Sequence, residues 1–291
     1  MATVKKEKPL VVIVGPTASG KSSVAMEVAR KHGGEIICAD SRTIYKGMDI
    51  GTAKPSLGDQ QEIPHFGLDL VEPGEVFTAA DFQRYAKQKI GEIRARGNVP
   101  ILVGGTGLYI DAVMFDYEFG QKTSTKNRQF LYSMSLEELH NYSEEHNIPL
   151  PKNIYNKRYV IRAIEQGGVN NKRLLEPTSN TVVVGITTDK KVLRTRIQNR
   201  AQALFRGGMI EEARQLAREY GWESEAMTGN IYRLVRQYDE GKLNKDQLFE
   251  KFVIADWRLA KRQLTWLKRN RFINWVPLER AYTYISQRLA D

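Results

Sequence analysis

The chain has 291 residues, of which 41% are hydrophobic, with a formal net charge of +10, one cysteine and four histidines. These values are typical of a folded globular protein; they exclude an internal disulfide and argue against a Cys/His zinc site. No apolar stretch approaches the roughly 18 residues that a membrane helix needs, and the lysine-rich start lacks the cleavage site of a signal peptide. The sequence therefore predicts a protein of the reducing cytoplasm that makes no membrane contact.

Three buried strands are predicted in the first part of the chain. The β-branched run Leu10–Val14 enters a glycine-rich loop and then a helix that begins near Ser22. Residues 35–39, which are apolar after Glu35, and residues 100–103 are predicted as the second and third buried strands. Their continuous apolar character is typical of strands that are covered on both faces of a sheet.

Further elements follow the same alternation. The spacing of Thr78 and Asp81 is that of a capping box and predicts a helix that ends near Arg96. Residues 181–186 form another β-branched strand, and Asp189 after it is the predicted N-cap of a helix. From there the chain is predicted to be almost entirely helical. Strands that alternate with helices predict a mostly parallel, doubly wound sheet.

Residues 117–176 interrupt this alternation. The segment is polar, has the helical spacing of Leu136 and Leu139, and contains no convincing strand. It predicts a small all-helical insertion between a catalytic core in residues 1–116 and a return to that core in residues 177–291. The last of these segments is expected to end in basic helices.

A phosphate-binding loop is predicted between the first strand and the first helix. It matches the Walker A pattern and consists of Gly15, Pro16, Thr17, Ala18, Ser19, Gly20, Lys21 and Ser22. Main-chain N–H groups in such a loop converge on phosphate oxygens, the lysine adds positive charge, and the serine hydroxyl can ligate Mg²⁺. The predicted fold class is α/β: a P-loop NTPase-like parallel sheet flanked by helices, with a small all-helical insertion and a helical C-terminal region.

The loop alone does not say which phosphate compound is bound. An ATP-using enzyme usually adds an acid at the end of a neighbouring strand. Here the run 102–106 occupies a plausible place for that strand and ends in Gly104, Gly105 and Thr106, without an acid. This absence weakens the interpretation as a kinase but leaves it open.

Four ordered segments are similar to the bacterial tRNA dimethylallyltransferases, also called tRNA isopentenyltransferases. They are residues 15–22 (GPTASGKS), 40–55 (DSRTIYKGMDIGTAKP), 104–109 (GGTGLY) and 260–266 (AKRQLTW). The resemblance implies that the loop holds dimethylallyl diphosphate, with Mg²⁺ as cofactor, and that the acceptor is N6 of the adenosine 3′-adjacent to the anticodon of tRNA. Such a base must be unstacked before its amine can be reached.

Four residues are candidates for the chemistry. Asp40 follows the second strand, at the sheet edge where ligands of α/β folds collect, and could accept the proton that the adenine amine loses. It could instead cap a loop or hold Mg²⁺ through water. The resemblance implies that Thr17 and Arg200 contact the diphosphate together with Lys21. Arg196 shares the helix face of Arg200, although both arginines could be solvated surface charges.

The same resemblance implies a tRNA-binding surface, and the positive charge near the C-terminus agrees with it. Residues 251–291 carry nine Lys and Arg against three Asp and Glu, a net charge of +6, which attracts a phosphate backbone. The implied tRNA-binding residues are Asp40, Ser41, Arg42, Thr43, Thr106, Arg128, Arg158, Arg162, Lys261 and Arg262. Trp257 and Trp266 lie among the C-terminal charges, but their helical spacing is more typical of core residues than of base-stacking ones.

The sequence departs from the family pattern at several positions. Thr43 stands where the family generally has Gln, and Tyr159 replaces an arginine. Near the C-terminus, Ile254, Asp256 and Trp257 replace a polar Gln-x-Thr-Arg run. Because the phosphate loop is intact, these departures are expected to affect tRNA recognition more than the chemistry.

Three alternative functions stay open on the sequence. An ATP-dependent small-molecule or nucleotide kinase could use the same loop. Prenyl transfer to free AMP or ADP is a second alternative, although a mononucleotide needs neither a basic C-terminus nor an insertion. The third is an RNA-binding module whose phosphate loop has lost its activity. We expect the chain to be a monomer.

Overall fold

The computed structural model describes residues 7–119, 125–167 and 173–290. The chain divides into two compact units. The first unit joins Met1–Phe115 to Glu176–Asp291, and the second is Asp116–Leu175.

Within its described residues, the first unit contains a six-stranded sheet in the order β3-β2-β4-β1-β5-β6, with every neighbouring pair parallel. The strands are β1 (Leu10–Val14), β2 (Gly34–Ala39), β3 (His65–Phe66), β4 (Val99–Gly104), β5 (Thr181–Thr187) and β6 (Asn274–Pro277). All residues of β1, β2 and β4 are buried, as expected for parallel strands covered on both faces. The predicted parallel α/β sheet is therefore confirmed.

The prediction that the chain is almost entirely helical after Asp189 is wrong at β6. This short strand pairs with β5, with Gly185 opposite Trp275 and Ile186 opposite Val276. Its first and last residues, Asn274 and Pro277, are exposed. The segment therefore lacks an apolar run, and its strand structure depends on pairing with β5.

The described residues of the first unit also contain nine α-helices. They are α1 (Lys21–His32), α2 (Leu57–Glu62), α3 (Ala79–Ala95), α4 (Gly107–Met114), α8 (Lys190–Arg206), α9 (Met209–Tyr220), α10 (Asn230–Asp239), α11 (Lys245–Leu267) and α12 (Leu278–Ala290), with a 3₁₀ turn at Ala226–Thr228. The predicted capping box at Thr78 and Asp81 is confirmed, as is the cap at Asp189. In the described ranges, none of the helices has both the length and the apolar composition required to cross a bilayer.

Two hydrophobic clusters hold the first unit together. One joins the strands to α1 and α12 through side chains such as Ile13, Val28 and Ile285. The other joins α8, α9, α10 and α11 to residues 44–48, with Tyr232 and Phe252 among its largest buried side chains. The second cluster therefore fixes the C-terminal helices against the segment that follows β2.

The long connection between β2 and α3 is held by a half-buried acceptor on α9. Both carboxylate oxygens of Glu212 accept main-chain N–H groups: Oε2 from Asp49 and Ile50 at 2.9 and 2.6 Å, and Oε1 from Gly51 at 2.9 Å. The Tyr232 hydroxyl donates to Oε1 at 3.1 Å. These bonds fix residues 49–51 next to the helices of the second cluster.

In the described residues of the second unit, the secondary structure consists of α5 (Thr125–Ser133), α6 (Leu136–Glu145) and α7 (Lys157–Glu165). Their common core is formed by Leu131, Leu139, Val160, Ile161 and Ile164. A serine at position 135 caps α6 in a capping box with Glu138.

Candidate active site

The phosphate loop lies between the end of β1 and the start of α1. Along its backbone, residues with positive φ alternate with a residue of ordinary negative φ. Ala18 has a φ of 61° and Gly20 has a φ of 94°. A left-handed residue flanked by ordinary ones turns successive N–H groups toward a common point, which makes an anion-binding concavity. A Cβ at Gly20 would also lie 2.8 Å from Cδ1 of Leu278, the first residue of α12. The positive φ is the reason that this position requires glycine, because the Leu278 methyl is the end of a flexible side chain and could move.

Lys21 is the first residue of α1, and its ammonium donates to the carbonyl oxygen of Pro16 at 3.3 Å. Burial lowers the pKa of the Lys21 ammonium to about 8; the negative charge of Asp40 opposes this shift and the positive charge of Arg200 adds to it. A bound anion would favour the charged form and raise this pKa again. Lys21 is therefore suited to pair with a phosphate group.

Asp40 directly follows β2, at the carboxyl edge of the sheet. Its Oδ1 accepts the main-chain N–H of Arg42 at 2.8 Å, while Oδ2 accepts no hydrogen bond within the described part of the chain. The main-chain N–H of Ser41 donates to Oγ1 of Thr106 at 3.1 Å, which joins the segments that follow β2 and β4. One oxygen of Asp40 thus sets the turn, and the other can accept a proton.

Arg200 on α8 connects three segments around the loop. Its Nη1 donates to Oγ1 of Thr17 at 2.8 Å and to Oδ2 of Asp256 at 2.7 Å, and its Nη2 donates to the carbonyl oxygen of Thr52 at 3.3 Å. One turn earlier, Nη1 of Arg196 donates to the carbonyl oxygen of Ser19 at 3.2 Å. The interpretation of these arginines as solvated surface charges does not match these contacts, because both bind the phosphate loop.

The segment after β4 packs closely against α11. A Cβ at Gly105 would lie 2.4 Å from the side-chain nitrogen of Gln263, and a Cβ at Gly107 would lie 2.0 Å from the ring of Trp266. The Trp266 indole also donates to Oδ2 of Asp111 at 2.7 Å. Trp266 is therefore a packing residue between α11 and α4.

The end of β4 has no room for an acid. A Cβ at Gly104 would lie 2.1 Å from the carbonyl oxygen of Ala39 in the neighbouring strand. Glycine is required at this position by the close approach of β2. The close spacing of β2 and β4 therefore excludes an acidic side chain at the end of β4.

Two adjacent cavities open at the carboxyl edge of the sheet. The larger, about 670 Å³, contains the phosphate loop, Ser22 and Arg196 in its walls. The smaller, about 240 Å³, is lined by residues that include Thr106, Asp256 and Arg262. Five residues line both: Thr17, Lys21, Asp40, Thr52 and Arg200. The predicted catalytic residues therefore stand where the two cavities meet.

The remaining predicted residues of the first unit vary in accessibility. The Arg42 guanidinium donates to the carbonyl oxygens of Glu225 and Ala226, both at 3.3 Å. Thr43 is buried, and its side chain lines the larger cavity. Lys261 and Arg262 are exposed on α11.

The three arginines predicted in the insertion belong to the second unit. Nε of Arg128 lies 3.4 Å from a carboxylate oxygen of Glu165. Arg158 and Arg162 are exposed on α7, whose buried side is formed by Val160, Ile161 and Ile164.

The donors near the loop suit a magnesium ion that takes most of its ligands from phosphate and water. Within residues 7–119, 125–167 and 173–290, no three His, Cys, Asp or Glu side chains cluster as a complete ligand set. The Ser22 hydroxyl and the Asp40 carboxylate, both hard oxygen donors, line the same cavity as Lys21. Mg²⁺ is commonly bound in this way, through one or two protein oxygens and the phosphates of a substrate.

Three contacts of the site were not predicted from the sequence. They are the ion pair of Asp256 with Arg200, the hydrogen bond of Gln263 to the phosphate loop, and the position of Glu212 under residues 49–51. A signal existed for one of them. Asp256 falls between Phe252 and Ala260 in the buried stripe of α11, where an acid requires a partner.

The parallel sheet and the strand–loop–helix unit at its carboxyl edge define a protein of the P-loop fold class, with a loop whose geometry suits a phosphate group. A family model described as IPP transferase matches residues 43–270. The chain is 39% identical to a tRNA dimethylallyltransferase of Pelotomaculum thermopropionicum, over 96% of this chain and 94% of the relative, and 36% identical to one of Geobacillus thermodenitrificans, over 96% and 97%. The chain belongs to the IPP transferase family, which confirms the resemblance found in the sequence.

The fold agrees with that of solved relatives. A tRNA isopentenylpyrophosphate transferase of Bacillus halodurans superimposes with a TM-score of 0.74 at 33% identity, over 98% of this chain and 97% of that one. A tRNA isopentenylpyrophosphate transferase of Staphylococcus epidermidis gives a TM-score of 0.73 at 29% identity, over 97% and 99%. The likeness therefore extends over both compact units.

Proposed function

We propose that this protein transfers a dimethylallyl group from dimethylallyl diphosphate to N6 of the adenosine 3′-adjacent to the anticodon of tRNA, and releases diphosphate. The observation that supports this most directly is the position of Asp40 between the two cavities. The cavity with the phosphate loop is suited to the diphosphate, and the second cavity can receive an acceptor. The names of the relatives, tRNA dimethylallyltransferases, agree with this function.

Asp40 is the general base of the proposed reaction. As N6 of the adenine attacks the allylic carbon, a C–N bond forms, the C–O bond to the diphosphate breaks, and the N6 proton passes to Oδ2 of Asp40. An adenine amine is a weak nucleophile, because its lone pair is delocalised into the ring. A positioned base contributes about 10²–10⁴-fold to such a step.

The leaving diphosphate is stabilised by the cationic side of the site. Lys21, Arg200 and the N–H groups of the loop neutralise the charge that develops on the leaving oxygen. Thr17, which receives a hydrogen bond from Arg200, is the hydroxyl proposed to contact the diphosphate near the bond that breaks. Mg²⁺ held by the Ser22 hydroxyl and the diphosphate would supply further neutralisation.

The tRNA is proposed to contact both units. In the first unit, the proposed contacts are Ser41, Arg42 and Thr106 around the acceptor cavity, Thr43 in the wall of the larger cavity, and Lys261 and Arg262 on the exposed face of α11. In the second unit, the contacts are Arg128, Arg158 and Arg162. The target base leaves its stack to enter the pocket. We place this reaction in the cytoplasm and assign it to the monomeric chain.

The test is incubation of the purified protein with Mg²⁺, labelled dimethylallyl diphosphate and unmodified tRNA, followed by nucleoside analysis. Label in N6-dimethylallyladenosine from the anticodon loop is the expected result. Parallel reactions replace tRNA by AMP or ADP, and replace the prenyl donor by ATP. Turnover of ATP with phosphoryl transfer, or prenylation of free AMP alone, would overturn the proposal.

A further inference from the structure

A buried acid on α11 holds the arginine that stands between the two cavities. Asp256 is 4% exposed, and its Oδ2 accepts a hydrogen bond from Nη1 of Arg200 at 2.7 Å. The same Nη1 donates to Oγ1 of Thr17 in the phosphate loop. Both N–H groups of Nη1 are thus engaged, one by the loop and one by α11.

We infer that Asp256 is a positioning residue for the diphosphate: it fixes the Arg200 guanidinium against Thr17 before the substrate binds. With Nη2 donating to the carbonyl oxygen of Thr52, the guanidinium is held by three segments that are far apart in the chain. Among the described residues, Nε has no hydrogen-bond partner. This N–H and the second N–H of Nη2 therefore stay available to diphosphate oxygens.

The energetics of the pair favour a role in the site over a role in stability. A buried ion pair is a weak stabiliser, because desolvation of the two charges offsets their attraction. Burial, together with the negative charge of Asp40, raises the pKa of the Asp256 carboxyl, and the positive charge of Arg200 opposes the shift. The ion pair immobilises the Arg200 side chain before the ligand binds. A mobile arginine would instead lose much conformational entropy on binding, which would weaken the affinity for diphosphate.

Asp256 lies at a position where the sequence departs from the family pattern. Asp256 is one of the residues that replace a polar run before the closing basic motif, where altered tRNA recognition was expected. Its contact is with Arg200, at the junction of the cavities. The substitution is therefore expected to act on the prenyl diphosphate and not on tRNA affinity.

The test rests on the proposed function and compares two substitutions at one position. Asp256→Ala removes the acceptor, so the KM for dimethylallyl diphosphate should rise about tenfold or more, with a smaller change in kcat and an unchanged Kd for tRNA. Asp256→Asn keeps an oxygen acceptor and should retain most of the affinity. Calorimetric binding of inorganic diphosphate with Mg²⁺ should follow the same order, without any turnover.

A matched control comes from a second buried carboxylate that is paired with an arginine. Glu35, also 4% exposed, accepts from Arg96 at 2.9 and 2.7 Å, at the amino end of β2 and away from the site. Glu35→Ala should lower the thermal midpoint without changing the KM. A folded Asp256→Ala protein whose affinity for diphosphate is unchanged or tighter would overturn the inference. Failure of the wild-type protein to prenylate tRNA would instead overturn the proposed function.

Discussion

The side-chain oxygen of Gln263 accepts a hydrogen bond from the main-chain N–H of Thr17 at 2.8 Å, across 246 positions of sequence. Thr17 is thereby held from two sides, because its hydroxyl receives Arg200. Gln263 lies on α11 next to the exposed Lys261 and Arg262. One helix therefore carries both a proposed tRNA surface and a direct contact to the phosphate loop.

We expect Gln263→Ala to lower kcat/KM for dimethylallyl diphosphate by about tenfold, since the loss of an acceptor for a partly buried N–H costs about 1–3 kcal/mol. Steady-state kinetics at saturating tRNA measures this effect. Gln247→Ala on the same helix is the control, because among the described residues the Gln247 side-chain oxygen accepts only the main-chain N–H of Asn244, at the start of α11. Equal kinetic losses in the two variants would show that Gln263 acts only through the stability of the helix.

The contact of Gly107 with Trp266 gives a prediction about stability. A Cβ at Gly107 would lie 2.0 Å from the Trp266 ring, so Gly107→Ala should lower the free energy of unfolding by about 1–3 kcal/mol or more. Urea denaturation followed by tryptophan fluorescence measures it. In α3, Gly91→Ala meets nothing within 4 Å and should instead stabilise the protein by about 0.5–1 kcal/mol. A Gly107→Ala protein as stable as the wild type would contradict the close packing.

The elements that the sequence predicted are those with strong local signals. The strands β1, β2, β4 and β5 are apolar because the sheet is covered on both faces, and the caps at Thr78 and Asp189 act within three residues. The strand β6 was missed because Asn274 and Pro277 are exposed at its ends. Local pattern therefore predicts elements whose stabilising contacts are local or uniformly apolar.

The residues of the site also divide into those with a local sequence signal and those that depend on tertiary contacts. The positions of Lys21 and Asp40 at the carboxyl edge of the sheet could be predicted: Lys21 belongs to a loop motif with a fixed backbone geometry, and Asp40 directly follows a predicted buried strand. For Asp256 the buried stripe of α11 indicates that the acid needs a partner, but not which one. The partners of Asp256 and Gln263 could not be predicted, because they depend on how α8 and α11 pack against a loop more than 180 positions away. Such contacts between distant segments are set by tertiary packing, which a single sequence does not encode in any local pattern.

Asp40→Asn tests the proposed base with little change of shape. The amide oxygen can still accept the N–H of Arg42, so the turn is retained, while the proton acceptor is lost. We expect kcat to fall about 10²–10⁴-fold, with nearly unchanged tRNA affinity. Single-turnover rates and filter binding separate the two quantities. Asp59→Asn, a change in the capping box of α2 on the wall of the same cavity, is the control. Normal turnover with weakened tRNA binding in Asp40→Asn would contradict its role as base.

The proposed tRNA surface on α11 predicts a change in salt dependence. Each cation that contacts a phosphate contributes about 0.7–0.9 to the slope of log K against log salt concentration, so a Lys261→Ala, Arg262→Ala double variant should lower the slope by about 1–2. Lys245→Ala with Lys251→Ala removes the same charge from exposed positions on the same helix. An equal reduction of the slope in both double variants would show a general charge effect and exclude a specific contact.

The ammonium of Lys21 predicts how diphosphate binding depends on pH. Its pKa is lowered to about 8, chiefly by burial, and only the charged form attracts the anion. Affinity for dimethylallyl diphosphate should therefore be greatest below about pH 8 and fall as the pH rises through that value, with uptake of a proton on binding there. Calorimetry in two buffers of different ionisation enthalpy measures the proton uptake. In Lys21→Arg the guanidinium stays charged over this range, so any pH dependence that remains in the variant comes from the titration of the diphosphate. The difference between the two proteins then reports the titration of Lys21 alone. If both proteins show the same pH dependence and the same proton uptake, Lys21 does not titrate in this range.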